Sequence, residues 1–379
     1  MSDMITIGMG RIHMEAGEVR DFLPNLMTHI AQWGGQIFLE HGYGSGMGLT
    51  ENDYLRAAPN IRFVSREDIF QQDLVMVLRY PDEAYIKTMR PGTCLISMLH
   101  YPTRPIRVEF LRSLGIEAIS LDSLKDDSGR RLVENLRLVA WNGVETAFRT
   151  LRSVYPQPGF ESPNRPPIYV TLLGAGAVGL HVVQAAIRYG DDAYWRRLVS
   201  RGVPGVRVSV VDYDLTSHYA VMQDLLRQSD ILIDATQRPD PSVPVIPNEW
   251  IAFMAPHAVL LDLSVDPYAC DTLPYMVKGI EGIPHGNLDK YMFAPDDPAY
   301  DLIPNCVNTR NRRYAVSCYS WPGITPKKCM DIYGKQIAPI LRTILASGGV
   351  NQVNPDGTYF HRAIHRALLS RWQPHPGPQ

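Results

Sequence analysis

Six residues, Gly174-Ala175-Gly176-Ala177-Val178-Gly179, carry the strongest chemical signal in the chain. They follow an apolar run, Ile168–Leu173, and open a helical pattern in which Val178, Val182, Val183 and Ala186 fall on one face. Gly174 permits a tight turn, Gly176 lets backbone approach a pyrophosphate, and Gly179 lets a helix pack close to the strand. The helix start would offer unpaired N–H groups and the positive end of its dipole to the phosphates. Strand, glycines and helix in this order predict a dinucleotide site. The next apolar run, VRVSVV, leads into Asp212. A carboxylate there either binds the adenosine ribose hydroxyls or caps the strand end. It lies further along than the about 20 residues usual for such an acid, and the insertion DDAYWRRLVSRGVPG accounts for the excess. Tyr213 and Asp214 follow, with no arginine to receive a 2′-phosphate, so the cofactor expected is NAD rather than NADP. Two further residues follow predicted strands directly, Arg79 and His100. In open α/β sheets the carboxyl ends of strands are where ligands sit. An imidazole there either is structural or moves a proton near neutral pH. A guanidinium there either is a surface charge or grips a carboxylate with paired hydrogen bonds.

These positions need elements to hold them. Met4–Gly8, Gln36–Glu40, Asp73–Leu78, Thr93–Met98 and Glu117–Ser120 read as strands, and Phe22–Trp33 as a helix. Thr50 and Ser65, each followed three residues later by an aspartate, read as helix-starting boxes. After a long helical pattern, Arg131–Val154, the Pro- and Gly-rich stretch 155–167 reads as an inter-domain linker. Strands at Ile168–Leu173, Val206–Val211, Ile231–Ala235, Ala258–Leu263 and Tyr314–Cys318 then alternate with helices, and Met330–Ala346 and Phe360–Trp372 read as helices again. The fold class expected is α/β, with two Rossmann-like domains built on mostly parallel sheets.

Length and composition fit that reading. The 379 residues suggest two domains, and 45% hydrophobic with 20% charged residues is ordinary for a globular enzyme. The formal net charge of −2 leaves no basic excess for a nucleic-acid partner. No run approaches the about 18 apolar residues of a membrane span, and the Met-Ser-Asp start is not that of a signal peptide. Five scattered cysteines (94, 270, 306, 318 and 329) without a Cys-x-x-Cys pair read as reduced thiols of a cytoplasmic protein. No metal is expected. Glu281, His285 and Asp289 match no ligand spacing, and His361 with His365 lacks a third ligand.

Seven segments in order resemble the alanine dehydrogenase and NAD(P) transhydrogenase NAD-domain family, whose relatives include the lysine-forming saccharopine dehydrogenases. They are GEVRDFLP (17–24), FLEHGYGSGMGLTENDY (38–54), DLVMVLRYPDE (73–83), ISMLHYPT (96–103), GAGAVG (174–179), AVLLDLSVDPYACD (258–271) and AVSCYSWPGITPKK (315–328). The resemblance implies a substrate domain of residues 1–150 plus 326–379, an NAD domain of 151–325, and an active site in the cleft between them. It implies that His100 is the acid/base, that Arg20 and Arg79 bind the substrate carboxylate, and that Asp266 lies near the nicotinamide, with Ser320 and Trp321 beside it. It also implies a homo-oligomer, dimer or hexamer.

The chain departs from the family pattern at Arg79 in place of lysine, Tyr80 in place of glutamate, and Ser320-Trp321 in place of Asn-Met. Arginine keeps a carboxylate-binding role but cannot give up a proton. The activity implied is NAD(H)-dependent oxidation of an amino-acid C–N bond, or the reverse amination of a 2-oxo acid. The alternatives are an opine- or saccharopine-type reductase joining an amino acid to a 2-oxo acid, whose wider pocket the segment 279–301 would shape, and a catalytically silent NAD-binding protein.

Overall fold

The computed structural model describes residues 4–11, 16–271 and 275–373. The chain divides into two units. One comprises 1–14, 18–135 and 326–379, the other 15–17 and 136–325.

The first unit is built on six parallel strands: β1 (Thr6–Met9), β2 (Gln36–Glu40), β3 (Arg62–Val64), β4 (Leu74–Arg79), β5 (Cys94–Met98) and β6 (Glu117–Ser120). Their spatial order is β3-β2-β1-β4-β5-β6, so the winding reverses between β1 and β4. The strands are near-continuous apolar runs because helices bury both faces of such a sheet. In β4, Leu74 to Leu78 are all buried and only Arg79, at the carboxyl end, is partly exposed. The helix Glu51–Ala57 starts as its sequence predicts: Thr50 accepts from the Asp53 N–H while Asp53 accepts from the Thr50 N–H. Ser65 caps Arg66–Ile69: its hydroxyl accepts from the Asp68 N–H and donates to the Asp68 carboxylate. The helices Pro326–Ser347 and Tyr359–Ala367 belong to this unit. Beyond them Leu369 donates to the Ala118 carbonyl and Leu368 pairs with Ile119, covering the open edge of β6.

The second unit also has six strands: β7 (Ile168–Leu173), β8 (Val206–Val211), β9 (Ile231–Asp234), β10 (Val259–Asp262), β11 (Met292–Phe293) and β12 (Tyr314–Ser317). They lie in the order β11-β12-β10-β9-β7-β8, parallel except for β11, and the switch point falls between β7 and β9. The expected α/β class with mostly parallel sheets is therefore what the chain adopts. The helix Leu136–Val154 sits in this unit rather than with the first 150 residues, because Ala140, Val144, Ala147, Phe148 and Leu151 fill its core. The stretch 155–167 is not an inter-domain linker. It lies within the same unit, where Phe160 is buried and Arg165 donates to the Phe160 carbonyl and the Tyr189 hydroxyl.

The expectation that every cysteine is a free thiol needs correction. Cys270 and Cys306 form a disulfide, while Cys94, Cys318 and Cys329 are free and buried. Their separation of 36 residues matches no spacing signature, and only the tertiary approach of two loops makes the bond.

Candidate active site

In the first unit the charged groups gather at strand ends. Glu18 and Arg20 lie two residues apart on an irregular stretch before the helix Pro24–Gln32. The Glu18 carboxylate is almost fully buried. Its Oε1 lies 2.5 Å from Nη2 of Arg20, and its Oε2 lies 3.5 Å from Nη1 of Arg79 at the end of β4. A buried carboxylate thus bridges two guanidinium groups. Burial opposes the Arg20 charge, yet the Glu18 carboxylate beside it holds its pKa above the ordinary arginine value, and the buried Cys329 sulfur lies 3.9 Å from Nη1. Its Nε is buried without a hydrogen-bond partner. Tyr80 stacks under the Arg107 guanidinium at 3.8 Å and donates to Glu83.

His100 follows β5 with a left-handed backbone, φ 53°. Its N–H donates to Asp122 Oδ1 at 3.1 Å, and its Nδ1 lies 3.6 Å from Oδ2 of the same carboxylate. Asp122 is itself buried and fixed by the Ser120 hydroxyl at 2.7 Å. The imidazole side chain is about half exposed. Partial burial lowers its pKa, Asp122 works the other way, and the positive charges of Arg107, Arg131 and Arg104 lower it further. The ring is therefore poised to be neutral, and a base, at neutral pH.

In the second unit the turn after β7 has the shape its glycines predict. Gly174 has φ +91°, and a Cβ there would lie 2.8 Å from the Ala235 carbonyl oxygen. A Cβ at Gly179 would lie 2.3 Å from the Gly174 carbonyl oxygen, so the helix Ala177–Ala186 packs onto the turn. Above Gly176, the N-cap of that helix, a Cβ would meet nothing within 4 Å. Ala175 and Ala177 are exposed, Val178 is half-buried, and the helix start faces open space. Two glycines are spent on close packing and the third leaves room for a ligand, which fits a pyrophosphate cradle. Asp212, just beyond β8, is exposed and accepts from the Tyr213 N–H.

Asp266 follows β10 on a loop and pairs with Arg238 at 2.7 Å. Trp321 belongs to the core: its ring is buried and its Nε1 donates to the Asp262 carbonyl at 2.8 Å. Ser320 is the residue before it and is half-buried. Of the acidic residues weighed as metal ligands, Glu281 accepts instead from the backbone of Asn248 and Asn308.

Beneath these loops, at the carboxyl ends of β9 and β10, lie Asp234 and Asp262, both fully buried, with Lys278 paired to Asp262 at 2.6 Å. Lys278 holds the Asp262 pKa below the ordinary carboxylate range against the cost of burial. Asp234 is pushed up to about 6, first by burial and then by the Asp262 charge. The folded state therefore favours protonated Asp234. The stability this contributes is full below the ordinary 3.8 and is lost as pH rises through about 6. Asp234→Asn is expected to raise stability at pH 7, by no more than about 3 kcal/mol, and to change it little at pH 4. Thermal melts at the two pH values decide it, and equal shifts at both would contradict the assignment.

Neither Glu18, Asp122, Arg238 nor Lys278 was legible as a site residue. Only Glu18 left a trace, its spacing of two from Arg20.

A glycine turn on one doubly wound sheet, and guanidinium and imidazole groups at strand ends of another, belong to a two-unit Rossmann-like α/β protein. Residues 18–140 match the family model described as "Alanine dehydrogenase/PNT, N-terminal domain". The chain is 23% identical over 257 residues to the alanine dehydrogenase of Mycolicibacterium smegmatis, spanning 65% of this chain and 69% of that one. It is 20% identical over 351 residues to the NAD(P) transhydrogenase subunit alpha of Haemophilus influenzae, spanning 85% and 62%. The solved structure of an L-alanine dehydrogenase superposes with a TM-score of 0.71 at 19% identity, covering 96% of this chain and 94% of that one. The chain is thus similar to the alanine dehydrogenases and to a transhydrogenase alpha subunit, and the family resemblance read from its motifs holds.

Proposed function

We propose that the protein is an NAD(H)-dependent oxidoreductase acting on the C–N bond of an amino acid, in the manner of its alanine dehydrogenase relatives. The observation that carries this reading is the Glu18–Arg20–Arg79 trio. Its two guanidinium groups, held side by side on one buried carboxylate, suit paired hydrogen bonds to the carboxylate of an amino acid or 2-oxo acid. The turn 174–179 would hold the pyrophosphate and Asp212 the ribose of NAD, which supplies or accepts the hydride when bound. Arg20 and Arg79 orient the substrate carboxylate, and Glu18 keeps their positions and limits their charge. His100, with Nδ1 turned to Asp122, takes and returns the substrate proton at Nε2. Asp266, held by Arg238, orients the substrate amine or the nicotinamide carboxamide.

The opine-type alternative draws on a specific observation: the charges of Arg104, Arg107 and Arg131 are felt at His100. They would suit a second carboxylate on a larger substrate. One assay separates the readings. NADH oxidation is followed with a panel of 2-oxo acids, once with ammonia and once with primary amino acids. Ammonia-dependent turnover supports the dehydrogenase, and amino-acid-dependent turnover with a dicarboxylic 2-oxo acid supports the opine reading. NADH binding without turnover in either set would sink both and leave a silent NAD-binding protein.

The pH dependence has a defined sign. Amino-acid oxidation needs neutral His100, so kcat/KM should fall on an acid limb lying below 6.5. Asp122 is the group that draws this pKa upward. In Asp122→Asn the limb should therefore move to still lower pH, and a shift to higher pH would contradict the pairing.

A further inference from the structure

The loop that carries Asp266 is strained at its first turn. Val265 has φ +59°, a left-handed conformation that a β-branched residue almost never adopts unless its surroundings impose it. What imposes it is Asp262. Its Oδ1 accepts from the Val265 N–H at 2.8 Å and from the Ser264 hydroxyl at 3.1 Å, and that hydroxyl also reaches Asp234 at 3.0 Å. The other oxygen of Asp262, Oδ2, accepts from Lys278 at 2.6 Å and from Ser317 at 3.0 Å.

Lys278 ends the same loop. Ala269 and Met276 pair as an antiparallel bridge, the Val277 carbonyl accepts from Arg238, and Arg238 in turn grips Asp266. At Gly279 the chain passes so near Asp234 that a Cβ would lie 2.0 Å from Oδ2. Both ends of segment 264–278 are therefore moored to one carboxylate, Val265 to one oxygen and Lys278 to the other. A buried ion pair is a weak source of stability, since apolar groups of similar volume often replace one without loss. Its worth here lies in geometry.

We propose that the Asp262–Lys278 pair is a positioning device that sets the place of Asp266. The inference rests on the reading of Asp266 as a substrate- or cofactor-orienting residue, but the mooring itself can be tested without it. The double variant Asp262→Leu/Lys278→Met removes both charges together. Overall folding should be kept, kcat should fall at least about tenfold, and KM for the substrate should change little. Adding Asp266→Asn to that background should cost almost nothing more, although the same change alone is costly, because both act through one position. Hydrogen exchange at the Val265 and Asp266 amides should rise while the strands of the second unit stay protected.

Wild-type kcat with wild-type exchange in the double variant, or losses that simply add with Asp266→Asn, would overturn the proposal. If the wild type turns over no substrate in the panel, the functional reading fails, and exchange at 265–266 still judges the mooring. Should the double variant not fold, Val265→Gly replaces it. Glycine holds a left-handed φ without strain and also leaves it freely, so exchange should rise and kcat fall severalfold, and no change in either counts against the device.

Discussion

Replacing His100 with alanine should lower turnover about 100- to 10,000-fold while leaving NADH affinity unchanged. The separation follows from placement: His100 stands at the end of β5 in the first unit, and the pyrophosphate-shaped turn follows β7 in the second. Alanine removes an imidazole whose pKa is drawn below its ordinary value, so that it is a base at neutral pH, and it leaves the Asp122–Ser120 hydrogen bond in place. Folding should barely suffer, since the imidazole is about half exposed. Steady-state NADH oxidation and fluorescence titration of NADH on the same preparation measure the two quantities. Turnover near wild type would remove His100 from the chemistry. A parallel loss of NADH binding would mean that the substitution disturbs more than a proton carrier.

The second large effect distinguishes two glycines of one turn. Gly179→Ala should destabilise the protein and lower NADH affinity by at least about a hundredfold, or ~2.7 kcal/mol. The added Cβ would lie 2.3 Å from the Gly174 carbonyl oxygen, and that contact is backbone against backbone with no flexible side chain to give way. Gly176→Ala should leave the melting temperature close to wild type, because nothing lies within 4 Å of its Cβ and its φ of −68° suits any residue. Its methyl group would stand where the proposed cradle would receive a phosphate, so affinity should fall without loss of stability. Melting curves with and without NADH measure both. If Gly176→Ala binds NADH as the wild type does, the turn is not the cradle.

How far the chain could be read before its fold was in hand depended on the range of the interactions. Gln36–Glu40, Glu117–Ser120, Ile168–Leu173 and Val206–Val211 form strands at the bounds their apolar runs predict. Arg62–Val64 and Met292–Phe293 were missed. They are edge strands of three and two residues, with Arg62 and Met292 exposed, too short to leave a period. The capping boxes at Thr50 and Ser65 were legible because they are local. The glycine turn was legible because its three glycines follow a strand and open a helix within one short stretch, although the contact that confines Gly174 comes from Ala235, far along the chain.

The partners that give the candidate residues their character are remote. Glu18 meets Arg79 across 61 positions, and Asp266 meets Arg238 across 28. Lys278 lies in an apolar stretch where nothing marks it as the counterion of Asp262. Trp321, expected beside the nicotinamide, has its ring in the core because its indole closes over the end of β10.

The Cys270–Cys306 bond spans 36 positions and clips the far side of the Asp266 loop to a segment preceding β12. Closing a ring of that size is worth about 4 kcal/mol in the chain-entropy picture. Cys306 is exposed, so thiol reagents can reach it. Handling the protein with dithiothreitol, or producing it in a glutathione-rich host, would therefore yield a species in which the loop depends on its ionic and hydrogen-bonded moorings without the covalent clip. Two preparations of identical sequence could then differ in heat tolerance, and electrophoresis without reductant would tell them apart.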